Sequence, residues 1–280
     1  MEYHILKKHK VIFFWTPKCG VTSLVEMIMH LEDGKDHSNT GHDDKTHKDY
    51  WGNFRKWRWD GSLKNEDFSQ YKKIFCARNT YHRIVSCFLD KYVDDASPGT
   101  KDTPKCNNFY EFVKILESTN LEKEKMKGVV DYGHFCQLTE DIGWEFYCEI
   151  NQPEFDLIFD TPTTGLPEGK IVHDNVSVKK IYQLLNLQNE YNKISHLYER
   201  NYYSYDMWEF FKPKINFSKE NFAEVPIDKL KDYHGFIGKE RTIPYKNFYT
   251  NKLAQIITKL YADELSFFKE KLNIKFNLTE

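Results

Sequence analysis

The stretch Val11-Ile12-Phe13-Phe14-Trp15-Thr16-Pro17-Lys18-Cys19-Gly20-Val21-Thr22-Ser23 decides how the chain folds. Its first five residues are a continuous apolar run of β-branched and aromatic side chains, which reads as a buried strand. The run from Leu24 to about Leu31 reads as a helix, opened by Ser23 three residues before Glu26 at a capping-box spacing. The turn between them adds one lysine, one glycine and two hydroxyls to whatever the backbone offers. A turn from the C-terminal end of a strand to the start of a helix presents free backbone N–H groups to an anion. The expected ligand therefore carries a phosphate.

The spacing excludes the commonest phosphate loop. A Walker A motif places its lysine directly before Ser/Thr, after an upstream glycine. Here Lys18 precedes Gly20 and no glycine lies upstream in the loop. The order Pro-Lys-x-Gly-x-Thr-Ser instead resembles the 5′-phosphosulfate loop of sulfotransferases that use 3′-phosphoadenylyl sulfate (PAPS). A second segment adds to it. Tyr71 to Ala77 reads as another buried strand, followed by Arg78-Asn79-Thr80-Tyr81-His82-Arg83-Ile84-Val85-Ser86. This is similar to the 3′-phosphate motif of the same family, in which an arginine ends a strand and a serine follows eight residues later. Arg78 offers a planar fork of donors suited to phosphate, and Ser86 can add a hydroxyl from the same side. A nucleotide phosphorylated at both ends needs two anion sites, and this chain has two.

A third resemblance lies near the C-terminus. Ile243 to Thr250, then Leu253 to Phe268, look like the closing helix of the Golgi-type, family 2 carbohydrate sulfotransferases, whose pattern is a tyrosine pair, then leucine-tyrosine-x-x-aspartate, then phenylalanine. Gly133-His134-Phe135-Cys136-Gln137 and Phe155 to Phe159 resemble, less faithfully, the family's histidine-containing central motif and the strand after it. The likeness runs from about residue 11 to about residue 270, with free departures in the central and late linkers. It implies a P-loop-like, three-layer α/β fold with a central parallel sheet flanked by helices, in one domain over residues 1–280. That class agrees with the strand–helix alternation of the N-terminal third.

Bulk properties fit an ordinary enzyme. A chain of 280 residues can bury a sizeable core. Forty basic against 42 acidic residues leave a formal charge of −2, so nothing drives it globally toward nucleic acid or anionic membrane. No segment has the apolar length of a membrane span, and Met1 to Lys10 is polar with no signal peptide visible. The expected location is cytoplasmic, or Golgi-lumenal if the sequence is a trimmed catalytic domain. Six cysteines at 19, 76, 87, 106, 136 and 148 show neither C-x-x-C nor a zinc-like spacing, and read as free thiols in a reducing compartment.

The rest of the chain reads coarsely. Helices are expected over Tyr81 to Tyr92, from Asn108-capped Phe109 to about Glu117, over Val176 to Leu187 and within Glu190 to Phe211. Gln188 to Tyr245 has no clean period.

Sulfuryl transfer is largely a matter of positioning and of stabilising spreading charge, with no metal required. The resemblance assigns Pro17, Lys18, Cys19, Gly20, Val21, Thr22 and Ser23 to the 5′ end of PAPS, and Arg78 and Ser86 to its 3′-phosphate. Lys18 would stabilise the leaving phosphate oxygen, and Gly20 lets the backbone come close. A hydroxyl acceptor, most simply a carbohydrate, needs a base. Of His37, His42, His47 and His134, the family's placement points to His42, with His134 second; a solvated loop histidine and a core histidine are their plain alternatives. Lys239 and Arg241 are further cofactor candidates, although a solvated charge run accounts for them as well. Trp51-Gly52-Asn53-Phe54-Arg55-Lys56-Trp57-Arg58-Trp59 interleaves aromatics with cations as a sugar platform would. Its period of three reads first as a helix's buried stripe. The competing classes are a P-loop kinase, which would need ATP and magnesium, and a non-catalytic nucleotide- or carbohydrate-binding protein.

Overall fold

The computed structural model describes residues 1–16, 21–35, 66–93, 106–126, 132–140, 142–160, 175–198, 221–234, 245–276 and 278. In chain order the main elements are β1 (Glu2–Leu6), β2 (Val11–Trp15), α1 (Val21–Asp33), β3 (Lys72–Ala77) and α2 (Thr80–Phe88), which runs on into a π turn over Leu89–Val93. Then come α3 (Phe109–Thr119), α4 (Ile142–Glu149), β4 (Leu157–Asp160), α5 (Asn175–Leu184), α6 (Gln188–Tyr198), α7 (Ile227–His234), α8 (Asn251–Leu260) and α9 (Ala262–Lys271). Short helical turns lie at Lys123–Met126 and Tyr132–Phe135, with a 3-10 turn at Tyr245–Phe248. The described residues fall into two compact units. One comprises Met1–Ala77, Ile142–Pro162 and Val172–Asn201; the other comprises Arg78–Asp141, Thr163–Ile171 and Tyr202–Glu280.

The first unit is a mixed α/β layer structure around a four-stranded sheet of order β1-β2-β3-β4. β2, β3 and β4 run parallel, with Phe13 opposite Ile74, Trp15 opposite Cys76, and Cys76 opposite Phe159. All five residues of β2 are buried, because helices cover both faces. On one face Val11, Phe13, Trp15, Ile74 and Cys76 pack with Leu24, Val25 and Ile28 of α1, Ile181 and Tyr182 of α5, and Tyr191 of α6. On the other, Phe14 meets Phe146 and Tyr147 of α4 at centroid distances of 6.1 and 5.8 Å, and Phe155 at 5.6 Å.

Three features depart from the sequence reading. The sheet is not wholly parallel, since β1 pairs antiparallel with β2 inside the segment read as polar. Glu2 and His4 interrupt its apolar pattern, so the strand depends on its partner: Tyr3 stacks on Phe146 at 4.4 Å, and Trp15 Nε1 donates to Glu2 Oε2 at 2.8 Å. Second, α1 starts at Val21, which puts Ser23 and Glu26 inside its first two turns, not astride its start. Burial of Leu24, Val25 and Ile28 fixes this helix more firmly than a cap does. Third, the expected single terminal helix breaks at Tyr261, whose φ and ψ of −108° and 28° separate α8 from α9.

The core of the second unit is aromatic. Phe88 contacts Phe109 at 5.2 Å and Phe112 at 5.3 Å, and Phe248 lies 5.4 Å from Phe109. Leu253, Ile257 and Leu260 of α8 close the cluster. Asn108 caps α3 as its sequence suggests, accepting from Glu111 N at 2.9 Å, and the Glu111 carboxylate returns to Asn107 N at 2.8 Å. α7 lies in the segment without a clean period; Ile227 N donates to Asn107 O at 2.8 Å just where the helix begins.

Candidate active site

β2 and β3 end side by side. Trp15 is the register partner of Cys76, and Thr16 N donates to Cys76 O at 3.2 Å as the last rung of the ladder. Thr16 is buried, and its hydroxyl has no hydrogen-bond partner among the described residues. Pro17, Lys18, Cys19 and Gly20 lie outside the described residues, as do His37, His42, His47, Lys239, Arg241 and the stretch from Trp51 to Trp59. Val21, Thr22 and Ser23 are described as backbone, in the first turn of α1. The first N–H groups of that turn have no partner within their own helix.

The segment after β3 is described in full. Asn79 caps α2, its Oδ1 accepting from Tyr81 N at 2.9 Å and His82 N at 3.3 Å. Every residue of α2 except Ser86 is buried. Arg78 is half-buried, and its side chain lies along the helix face that carries positions 82 and 86. Nη1 donates to Ser86 Oγ at 3.3 Å and Nη2 meets His82 Nε2 at 2.8 Å. A guanidinium only donates, so His82 Nε2 accepts; the ring is neutral with its proton on Nδ1. Burial first, and the Arg78 charge second, hold this imidazole well below its ordinary value of about 6.5. The ring stacks on Tyr245, 5.0 Å between centroids and 15° between planes.

One turn on, Arg83 forms the centre of a buried polar network. Its Nη2 donates to both oxygens of Glu264 on α9, at 2.9 and 2.7 Å, with the two side chains 1% and 0% exposed. Thr80 Oγ1 and Leu138 N donate to the same carboxylate at 2.7 and 3.0 Å. Arg83 Nη1 donates to His134 O at 3.0 Å, and the guanidinium lies 5.3 Å over the Tyr261 ring. The Tyr261 hydroxyl in turn donates to Phe135 O. Burial works against the Arg83 charge, but Glu264 outweighs it and raises the guanidinium above its ordinary value. Burial also pushes the Tyr261 phenol well up, so it stays a neutral donor.

Of the residues proposed from sequence, Arg78 and Ser86 touch each other. His134 sits in a half-buried turn fixed through its carbonyl. The sequence reading missed His82, Arg83, Asn79 and Glu264 as working groups. A signal existed for the last: two residues separate it from Tyr261, the place of the aspartate in the leucine-tyrosine-x-x-aspartate pattern. Here the acid is Glu264, while Asp263 beside it is exposed. The five described cysteines are free thiols. Among the described residues no group of three or more His, Cys, Asp and Glu side chains is placed to hold a metal ion. No described helix is long and apolar enough to cross a membrane.

Comparison with curated proteins and with solved structures gives no match. A family model does match, and it spans residues 1–269. The segments that follow β2 and β3 fall within that span, and the chain belongs to the Sulfotransferase family.

Proposed function

We propose that the chain is a PAPS-dependent sulfotransferase with a P-loop-like fold, acting on a hydroxyl of a carbohydrate acceptor. The single observation that carries this reading is the Arg78–Ser86 pair. An arginine leaving a parallel strand meets a serine two turns into the next helix, the one position of α2 that is not buried. Arginine and hydroxyl together suit a terminal phosphate. The family assignment restricts the donor to a sulfate carrier.

Residue roles follow from the chemistry. Arg78 and Ser86 hold the 3′-phosphate; Lys18, Thr22, Ser23 and the first amides of α1 hold the 5′ end, with Pro17, Cys19, Gly20 and Val21 as further cofactor-binding residues. When bound, PAPS supplies a sulfuryl group on a phosphate leaving group. The acceptor oxygen forms the new S–O bond as the bond from sulfur to the bridging phosphate oxygen breaks. His42 or His134 takes the acceptor proton, and Lys18 offsets the charge arriving on the leaving oxygen. Lys239 and Arg241 are secondary candidates for contact with the nucleotide.

A thermal-shift series tests this reading. Adenosine 3′,5′-bisphosphate at about 100 times its Kd adds about 2.7 kcal/mol of stability, which raises Tm by several degrees. The shift is expected to persist in EDTA. Stabilisation by ATP with magnesium, and not by the bisphosphate, would reassign the protein as a kinase. Bisphosphate binding without sulfate transfer to any hydroxyl acceptor would make it a binding protein.

A further inference from the structure

His82 is a buried histidine that neither phosphate motif calls for. It is 8% exposed, it sits four residues after Arg78, and its side-chain hydrogen bond among the described residues is the 2.8 Å one to Arg78 Nη2. On its other side the Tyr245 ring covers it in a near-parallel stack. Its Nδ1 is buried with no hydrogen-bond partner among the described residues. Leaving a donor in that state is costly, so the ring is not placed to satisfy its own hydrogen bonding.

The geometry around Arg78 accounts for the arrangement. Arginine carries about 2 kcal/mol of rotamer entropy, and its value at a phosphate depends on a fixed plane for its fork. Ser86 alone gives one contact, at 3.3 Å, from a small side chain whose hydroxyl can rotate. The shorter contact, to a ring clamped between helix and Tyr245, sets the direction of the second terminal nitrogen.

We propose that His82 is a positioning residue: by accepting from Arg78 Nη2 while stacked on Tyr245, it fixes the guanidinium plane and sets how strongly the site selects a nucleotide bearing a 3′-phosphate. The inference rests on the nucleotide reading given above. It assigns the selectivity to a side chain that acts through Arg78.

The test compares the Kd of adenosine 3′,5′-bisphosphate with that of adenosine 5′-monophosphate by calorimetry. Wild type, Arg78→Ala, His82→Phe and His82→Gln are measured side by side. Phe keeps the stack on Tyr245 and removes the acceptor; Gln keeps an acceptor and removes the ring. The wild type is expected to prefer the bisphosphate, and Arg78→Ala to lose that preference. His82→Phe should cut the preference about tenfold, the scale of one hydrogen bond to a charged group. His82→Gln should recover to within about threefold of wild type. Binding of the 5′-monophosphate should change little in either His82 variant. If the wild type shows no preference, the nucleotide reading itself is wrong. If the wild type discriminates but His82→Phe does so equally well, or if Phe and Gln lose the same amount, His82 acts by packing alone and the inference is overturned. Should His82→Phe fail to fold, His82→Leu against His82→Gln supplies the same contrast.

Discussion

At the scale of single residues, two side chains carry most of the argument. Arg78→Ala is expected to weaken adenosine 3′,5′-bisphosphate binding about ten- to a hundredfold, the range for lost hydrogen bonds to a charged group. Arg78→Lys should recover little of this, because an ammonium cannot reproduce the fork that reaches Ser86 and His82 together. Isothermal calorimetry on both variants checks the pair, and full recovery by lysine would contradict it. His82 has a consequence for stability as well. Its folded-state value is depressed, by burial and then by the Arg78 charge, so the unfolded chain binds a proton more readily. The sign follows: above about pH 6.5 this residue adds no slope, and below it stability falls by up to about 1.4 kcal/mol per pH unit. Urea unfolding of wild type and His82→Gln between about pH 7.5 and 5.5 should show a shallower slope in the variant; equal slopes would contradict the assignment. The Arg78–Ser86 spacing could be read from sequence because both partners lie on one continuous strand–helix segment. The role of His82 could not, since a histidine four residues after an arginine is equally at home on a solvated helix face.

At the scale of elements, the Arg83–Glu264 network ties α2 to α9 and to the turn holding His134. Removing one partner strands the other as a buried charge. Glu264→Gln or Arg83→Met is therefore expected to cost about 3–5 kcal/mol of unfolding free energy. Arg83→Met combined with Glu264→Leu should cost less than the sum of the corresponding single changes, since neither charge is then left alone. A double-mutant cycle by urea denaturation measures this, and strict additivity would show that the pair is not coupled. This contact spans 181 residues of sequence, which is why no local pattern announces it. The same reason hides the break between α8 and α9. An unbroken helical period runs through Leu260 and Leu265, and it is Tyr261's distant contacts with Arg83 and Phe135 that fit the break. The cap of α3, by contrast, is complete within Asn107, Asn108 and Glu111, and so was readable.

At the scale of the whole chain, each compact unit is assembled from three separated segments, so strand order and layering depend on long-range closure. β2 and β3 were visible as apolar runs because both their faces are buried; β1 was not, because it is held by what it meets. One of those meetings gives a sharp test. Gly143, at the start of α4, donates its N–H to Met1 O at 3.1 Å. A Cβ there would lie 2.4 Å from Met1 O and 2.8 Å from Met1 C. Both are backbone atoms beside β1, so relief requires moving either the strand that pairs with β2 or the helix whose Phe146 stacks on Tyr3. Helix propensity alone favours alanine over glycine by about 1 kcal/mol. Overpacking typically costs about 1–3 kcal/mol and here meets unyielding neighbours, so the steric effect should win. Gly143→Ala is therefore expected to lower the urea midpoint with m unchanged. A neutral or stabilising result would mean that β1 yields readily at its start, and that the antiparallel strand is a loose appendage to the parallel sheet instead of one of its fixed members.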